Sequence, residues 1–314
     1  MAITLDEVRM NTGDKLTASV IDEFRRQNFI LNNILFDDTV LPASNGAALS
    51  YSYFRIVSRP TAAFRAIGSE YTPSNATKKK VTVDLKAFGG AFEIDRMLAS
   101  AGGFVNEVDV QAHQMISAAQ TLFNNALING DTSEDSKAFD GLDKALTGSS
   151  TEYNKSGTAV DLTDSGIDTN YKKFLDMLDE FILSLDGRPS AILGNTRLIA
   201  RLRACARRAG SFNQTVDDFG RQAIAYDGIP LVDMGDASED TPIIETSSNI
   251  TSLYAVRLGL DGLHAVSMNG QSPIRVWMPN FETAGAVKRG EVEMTAAIAL
   301  KSTRSAGVFR NIKV

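Results

Sequence analysis

The sequence predicts an α+β protein with an extended two-stranded segment near its start, one long helix and a later lobe of mixed helices and strands. Strand-like alternation occurs twice within 49–85, an uninterrupted amphipathic pattern covers 107–128, and both patterns mix from residue 166 onward. The 314 residues are 43% hydrophobic and 22% charged, an ordinary composition for a chain that buries a substantial core. A disordered or fibrous protein is therefore excluded.

Charge, cysteine content and hydropathy exclude further classes of protein. A formal net charge of −6 opposes a dedicated nucleic-acid binder, because such proteins gain affinity from many Lys and Arg side chains that neutralise phosphates. The single cysteine, Cys205, cannot form an internal disulfide. No stretch approaches the roughly 20 consecutive apolar residues of a membrane span, and Asp6 and Glu7 stand where a signal peptide would be basic and then apolar. We expect a cytosolic protein that contacts no membrane.

Residues 1–41 are predicted to form an N-terminal arm. Leu16, Val20, Phe24 and Leu31 recur at near-helical spacing, and a short apolar stretch surrounds the last of them. We expect such an amphipathic segment to pack against another surface.

Residues 42–90 are predicted to form an extended loop of two strands, because apolar and polar side chains alternate in 49–57 and again in 81–85. An isolated two-stranded ribbon is marginally stable in water. Its large apolar side chains would lack local partners: Phe54, Phe64, Ile67 and Tyr71. We expect a neighbouring subunit to cover them; a hairpin folded back on its own domain is the alternative. Before the second strand stands a run of lysines that we interpret as an exposed loop: Lys78, Lys79 and Lys80.

The longest helical pattern covers 107–128. Val108, Ala112 and Met115 begin an apolar stripe that continues along the segment. At about 1.5 Å per residue this helix spans about 33 Å, and Gly130 favours its end just beyond.

The rest of the chain alternates between helix and strand patterns. One helix pattern covers 171–185 and ends before Gly187, and a second helix runs to Ala209 after a cap at Asn195 or Thr196. Strand patterns occur at 191–193, 229–232, 253–256, 275–278 and 287–300.

No known catalytic motif is present. The Walker loop, the dinucleotide-binding glycine fingerprint, the Gly-x-Ser-x-Gly elbow and the His-Glu-x-x-His zinc helix are all absent from the sequence. We interpret the two histidines, His113 and His264, as structural residues. The acidic pairs are interpreted as solvated loops: Asp37 with Asp38, and Asp217 with Asp218. We therefore predict no enzymatic activity and no catalytic, cofactor-binding or metal-binding residues.

The densest basic feature is a set of arginines on the helix that ends at Ala209: Arg197, Arg201, Arg203, Arg207 and Arg208. Arginine without lysine suits bidentate contacts to phosphate or carboxylate groups. We predict that Arg197, Arg201 and Arg208 contact an acidic neighbour; a solvated helix face is the alternative.

Short segments in a particular order carry a further signal: Asn129 to Asp131 with Gly141 and Leu142, Ala191 to Leu193, Tyr226 to Pro230, and Ala296 to Ala306. Together with the order of the larger parts, they resemble the tailed-bacteriophage major capsid family of the Hong Kong ninety-seven type, whose fold encapsulins share. The resemblance covers nearly the whole chain and divides it into an N-terminal arm (1–41), an extended loop (42–90), a peripheral domain with a spine helix (91–165), a mixed α/β axial domain (166–270) and return strands of the peripheral domain (271–314).

The resemblance implies a structural subunit that self-assembles into an icosahedral shell around phage double-stranded DNA. Its implied partners are further copies in pentamers and hexamers, a separate scaffolding protein, a portal and a decoration protein, with DNA contacted weakly and nonspecifically. A separate scaffolding protein is expected because the extended loop begins near residue 46, which leaves no room for a long N-terminal scaffolding segment. The implied location is the virion capsid, assembled in the cytoplasm of a bacterial host.

Two alternatives stay open at this point. An encapsulin-like nanocompartment would use the same fold to enclose cargo enzymes, and a cytosolic enzyme would use Asp or Glu with a metal. Portal and terminase genes beside this gene would indicate a phage. A neighbouring peroxidase or ferritin-like gene would indicate an encapsulin, and a compact monomer in solution would indicate the enzyme.

Overall fold

A computed structural model describes residues 29–40, 49–100, 107–210, 213–216, 222–238, 241–268 and 273–314. The α-helices within these ranges are α1 (Phe29–Asn33), α2 (Arg96–Ser100), α3 (Glu107–Asn129), α4 (Leu142–Leu146), α5 (Ile167–Leu183) and α6 (Thr196–Ala209). The long helix predicted at 107–128 is α3, which extends one residue further. None of these described helices combines the length and the apolar character that crossing a membrane requires.

The strands, in chain order, are β1 (Phe36–Val40), β2 (Ser50–Ser58), β3 (Thr77–Asp84), β4 (Lys86–Asp95), β5 (Glu152–Tyr153), β6 (Val160–Asp161), β7 (Ala191–Gly194), β8 (Asn213–Val216), β9 (Gln222–Tyr226), β10 (Ile229–Asp233), β11 (Asp236–Ser238), β12 (Thr241–Pro242), β13 (Ile250–Val256), β14 (Leu263–Met268), β15 (Ile274–Trp277), β16 (Val287–Leu300) and β17 (Ala306–Lys313). A five-stranded sheet has the order β1-β14-β16-β15, with β4 also paired to β16. An eight-stranded sheet has the order β5-β17-β13-β7-β10-β9-β8, with β6 also paired to β17. Two short sheets pair β11 with β12 and β2 with β3.

The central strands of the eight-stranded sheet, β7, β13 and β17, are buried on both faces. Ile192, Leu253 and Phe309 pack with α5 and α6 on one face. Their chain neighbours Leu193 and Tyr254 join the core on the other face, which includes side chains of α3 and α4. Successive side chains of a strand point to opposite faces, so a strand covered on both faces is apolar without alternation. This is why 191–193 could be predicted as a short buried strand.

Helix α3 packs against the five-stranded sheet through aromatic contacts. The ring centroid of Phe123 lies 6.1 Å from that of Phe88 on β4 and 6.0 Å from that of Phe139. A Cβ atom at Gly90 would overlap the sulfur of Met115. Glycine at this position therefore permits the close approach of helix and sheet.

The described end of the N-terminal arm is packed into this body. Ile30 and Leu31 of α1 are buried, and β1 pairs in parallel with β14. The other stripe residues of the arm, Leu16, Val20 and Phe24, lie outside the described residues.

The two large sheets divide the chain differently from the predicted domain boundaries. Strands β5 and β6 precede residue 166 but pair with β17 in the eight-stranded sheet. Strand β14 precedes residue 271 but pairs with β16 in the five-stranded sheet. Strand β17, in the segment predicted as peripheral return strands, instead pairs with β13. Each pairing joins residues far apart in the sequence, so local periodicity does not show which sheet a strand enters.

Candidate assembly surfaces

The predicted extended loop contains a separate ribbon made of β2 and β3. The two strands pair antiparallel from Ser50 with Asp84 to Ser58 with Thr77, and neither joins another sheet among the described residues. Every residue from 56 through 80 is exposed. We call residues 50–84 the ribbon.

Hydrogen bonds tie the base of the ribbon to the body. The Tyr53 hydroxyl donates to the carbonyl of Leu300 at 2.7 Å, and the Arg55 guanidinium donates to the same carbonyl. The Tyr51 hydroxyl donates to Asp37 Oδ2 at 2.9 Å. These contacts hold the base of the ribbon while the rest of it protrudes.

Of the apolar residues predicted for an assembly contact, Phe64, Ile67 and Tyr71 lie on the protruding part, and Phe54 lies at the base. Phe64 and Ile67 are fully exposed, at 108% and 105% of their reference areas, and Phe54 and Tyr71 are 74% and 63% exposed. Tyr71 does have a local partner, since the Arg65 guanidinium carbon lies 5.1 Å from its ring centroid. Their contact with a neighbouring subunit stays a prediction.

The lysine run belongs to a strand and not to a loop, which corrects the sequence interpretation. Lys78, Lys79 and Lys80 lie in β3 and pair with residues of β2. Alternation of apolar and polar residues marks a strand only where one face is buried, and both faces of this part of the ribbon are exposed. The three lysines are exposed, as expected.

The ribbon is basic, whereas the rest of the chain is acidic. Residues 50–84 contain six Lys or Arg and two Asp or Glu, a net charge of +4. The rest of the chain therefore carries −10, because the whole carries −6. This distribution favours contact between a ribbon and the acidic body of another copy.

The arginine helix is α6, which is capped as its sequence predicts. The Asn195 side chain accepts a hydrogen bond from the Leu198 N–H at 2.8 Å, and Gly210 ends the helix in the left-handed conformation with φ of 71°. The helix packs its apolar side against α5 and the eight-stranded sheet. Its arginines are left on the remaining sides.

Two of the predicted contact arginines bind acidic residues of their own chain. Arg201 lies 2.5 Å from Asp164, and Arg208 lies 2.6 Å from Asp168. The sequence could not show this, because α5 and α6 become neighbours only in the folded chain. Arg197 is exposed, and its contact with an acidic neighbour stays a prediction.

The arginines left without an ion pair on α6, within the described part of the chain, include Arg203 and Arg207, which are both exposed. They stand four positions apart and so share one side of the helix. Glutamate at both positions is expected to impair shell formation and to lower the melting temperature only slightly, because neither side chain makes an ion pair among the described residues and the one local cost is a carboxylate in the last turn of the helix. Electron microscopy and a thermal melt measure the two effects.

The matched control is Arg201→Gln with Arg208→Gln. It removes two ion pairs whose carboxylates are largely solvated, so thermal unfolding is expected to change little. If the control fails to form shells and the Arg203→Glu, Arg207→Glu protein forms them, the contact between subunits lies on the side of α6 that carries Arg201 and Arg208.

His264 lies at the joint between ribbon and body. Its side chain is fully buried in β14, neither ring nitrogen makes a hydrogen bond, and Nε2 lies 4.0 Å from Asp37 Oδ2. The Tyr51 ring meets the imidazole edge to face, with centroids 5.7 Å apart. Burial, with a contribution from the charge of Lys301, lowers the pKa of His264, and Asp37 acts in the opposite direction.

Acidification is therefore expected to destabilise the subunit. The unfolded chain binds a proton at His264 near pH 6.5, whereas the folded chain binds it only at lower pH, so stability is complete above about pH 6.5 and falls below it. Thermal melts on either side of this pH measure the effect. His264→Gln should flatten the pH dependence and His113→Gln, at an exposed position of α3, should not; equal slopes in all three proteins would contradict the role of His264.

The described residues contain no group of three or more His, Cys, Asp or Glu side chains that could hold a metal ion. Of the acidic pairs considered from the sequence, Asp217 and Asp218 lie outside the described residues. Cys205 is buried in α6, and burial raises the pKa of its thiol to about 11. A buried thiol of this kind is a poor nucleophile at neutral pH.

Solved structures with the same fold are shells of protein subunits. An encapsulin complex of Synechococcus elongatus matches with a TM-score of 0.60 at 15% identity, covering 91% of this chain and 87% of that one. The capsid of a native GTA particle matches with a TM-score of 0.57 at 11% identity, covering 87% and 88%. Mycobacterium phage Bobi matches with a TM-score of 0.55 at 10% identity, covering 90% and 92%. No protein-family model and no curated protein sequence matches the chain.

These similarities, together with the arrangement of ribbon, long helix and two large sheets, show a fold that phage capsids and an encapsulin also have. The chain has the Hong Kong ninety-seven type capsid fold, which phage capsids and encapsulins share. The α+β class and the capsid fold predicted from the sequence are therefore confirmed.

Proposed function

We propose that this chain is the major capsid protein of a tailed bacteriophage. Copies of it assemble into pentamers and hexamers of an icosahedral shell that encloses double-stranded DNA. The observation that carries the proposal is the protruding ribbon, whose Phe64 and Ile67 are left uncovered by the part of their own subunit that the structure describes. Exposed apolar side chains on a protruding element are typical of protein interaction sites, and this fold is used by phage capsids.

The proposal includes partners that the fold alone does not identify. A separate scaffolding protein guides assembly, a portal occupies one vertex, a decoration protein binds outside, and DNA is contacted weakly because the chain is acidic overall. The protein acts as a structural component and has no catalytic activity. Its location is the virion capsid, assembled in the bacterial cytoplasm.

An encapsulin-like nanocompartment is the second candidate. It is favoured by one observation, the similarity to an encapsulin complex with a TM-score of 0.60. Such a shell would use the same ribbon contacts and would enclose proteins in place of DNA.

Electron microscopy of the purified protein, expressed alone and then together with its neighbouring genes, tests the proposal. Closed shells that contain nuclease-protected DNA after coexpression support the phage capsid, and shells filled with a coexpressed enzyme support the encapsulin. A compact monomer with metal-dependent activity under all conditions would reject both and favour the enzyme alternative.

A further inference from the structure

A polar cleft that no sequence motif predicts lies between the spine helix and the segment after β10. Its volume is about 260 Å³, and its lining includes Gln120 and Asn124 of α3 on one side and Asp233 and Asp236 on the other. The two amides are four positions apart on α3 and therefore share one side of the helix.

The amides in this cleft make no side-chain hydrogen bond within the ranges that the structure describes. Asn124 is only 5% exposed, and its Oδ1 has no partner among those residues. Gln120 is only 7% exposed, and its side chain makes no hydrogen bond among the described residues. Buried polar groups in native proteins are nearly always paired. The buried Asn124 oxygen is such an unpaired group, and with Gln120 beside it on the cleft it indicates a hydrogen-bonding partner from outside the subunit.

The other side of the cleft is acidic. Asp233 is already engaged, because its two carboxylate oxygens accept hydrogen bonds from the Gly235 N–H at 3.0 Å and the Thr196 hydroxyl at 2.6 Å. Asp236 is exposed and makes no ion pair within the described part of the chain. The described residues 233–238 and 241–246 contain three acidic residues, Asp233, Asp236 and Glu245, and no Lys or Arg. The missing partner is therefore cationic.

A lysine ammonium matches this set of acceptors. It has three N–H donors and no acceptor, and the cleft offers the Asn124 oxygen, the Gln120 oxygen and the Asp236 carboxylate. A hard divalent cation is favoured less, since such ions prefer several carboxylate ligands and only Asp236 retains an unused one.

The ribbon carries exposed cations that can reach another copy. Arg55 is bonded to the Leu300 carbonyl and Arg65 to the Ser69 carbonyl, and Arg59 is exposed but stands apart from the lysine run. Lys78, Lys79 and Lys80 are exposed and make no ion pair within the described residues, including none with the cleft of their own copy.

We propose that the cleft formed by Gln120, Asn124 and Asp236 binds a ribbon lysine, from Lys78 to Lys80, of a second copy of this chain. This inference rests on the proposed function, because it assigns one contact within the shell. The basic ribbon supplies the positive charge, and Asp233, Asp236 and Glu245 attract it from a distance.

Zero-length carbodiimide crosslinking of assembled shells tests the contact directly, because it joins a carboxylate to an amine only where they touch. Shells assembled from equal parts of 14N- and 15N-labelled protein are expected to yield mixed-label crosslinks between Asp236 and the lysine run. Shells without such a crosslink, or with crosslinks of one label only, would overturn the contact between copies.

Substitutions in the cleft give a second readout. Asn124→Leu should leave the melting temperature of the free subunit equal or higher, because it removes an unpaired buried amide, while the protein concentration needed for shells rises about tenfold. Asp236→Asn should raise that concentration similarly, and Glu245→Gln, in the same acidic segment but outside this cleft, should not. The inference would be overturned if both cleft variants formed shells at the protein concentration that the wild type needs, or if assembly depended on added Mg²⁺ or Ca²⁺. A wild-type protein that never forms shells would instead overturn the proposed function and this contact together.

Discussion

Replacing residues 58 through 77 with a short Gly-Ser turn is expected to abolish shell formation and to leave a soluble, folded subunit. The cut falls where Ser58 pairs with Thr77, so the shortened strands can still close a hairpin. The deletion removes Phe64, Ile67 and Tyr71, each of which gains roughly 1.5 to 3 kcal/mol on burial. Part of that gain is lost in ordering the ribbon and joining subunits, but the contact repeats throughout a closed shell. Circular dichroism measures the fold and electron microscopy the shells.

A smaller change separates the apolar contact from the length of the ribbon. Phe64→Ser with Ile67→Ser removes the two fully exposed apolar side chains, and Ala62→Ser with Ala63→Ser introduces the same hydroxyls at adjacent exposed positions. Only the first protein should fail to assemble. Closed particles formed by the deletion protein would show that this part of the ribbon is not an assembly element.

Replacing Arg310 with methionine is expected to lower the free energy of unfolding by about 3 kcal/mol, the cost of breaking a buried ion pair on one side. Arg310 of β17 lies 2.7 Å from Glu152, whose side chain is only 3% exposed, and 2.8 Å from Asp143. Burial alone would raise the pKa of Glu152, but the Gly148 N–H and the Arg310 guanidinium hold it below its ordinary value. Without the guanidinium, the buried Glu152 carboxylate would keep only the Gly148 N–H and the half-exposed Lys155 ammonium, 3.0 Å away, as partners.

The loss of stability in Arg310→Met should also depend on pH and on the presence of the Glu152 carboxylate. Because the pKa of Glu152 is lowered in the folded chain, its contribution is present above its unfolded pKa of about 4.3 and fades as the pH falls through the folded value. Adding Glu152→Gln to Arg310→Met should therefore recover part of the stability at neutral pH. Arg304→Met, at an exposed position nearby, is the control. Equal melting temperatures for Arg304→Met and Arg310→Met would refute the importance of this network.

Several local features were accurately predicted because their signals are short-range. The spine helix was expected at 107–128 and runs Glu107–Asn129, and the strand expected at 287–300 has those bounds. The Asn195 cap depends on hydrogen bonds within one helical turn. The apolar residues of the ribbon were expected to lack local cover, and Phe64 and Ile67 do.

Long-range arrangements could not be predicted in the same way. Nothing near Arg201 in the sequence indicates Asp164 as its partner, and nothing near Gln120 indicates that an acidic segment more than a hundred residues later faces it across a cleft. The lysine run was missed as a strand because a ribbon exposed on both faces has no alternation to detect.

The sequence by itself determined the class of elements, their order and the resemblance to capsid proteins, because helix stripes, strand alternation and caps depend on residues a few positions apart. Only the tertiary structure decided that β17 lies beside β13, that Arg201 and Arg208 are used within the subunit, and that Gln120 and Asn124 face a cleft. Each of these facts depends on which distant segments meet. That choice is made by the packing of the whole core, where burial of many side chains outweighs any local preference.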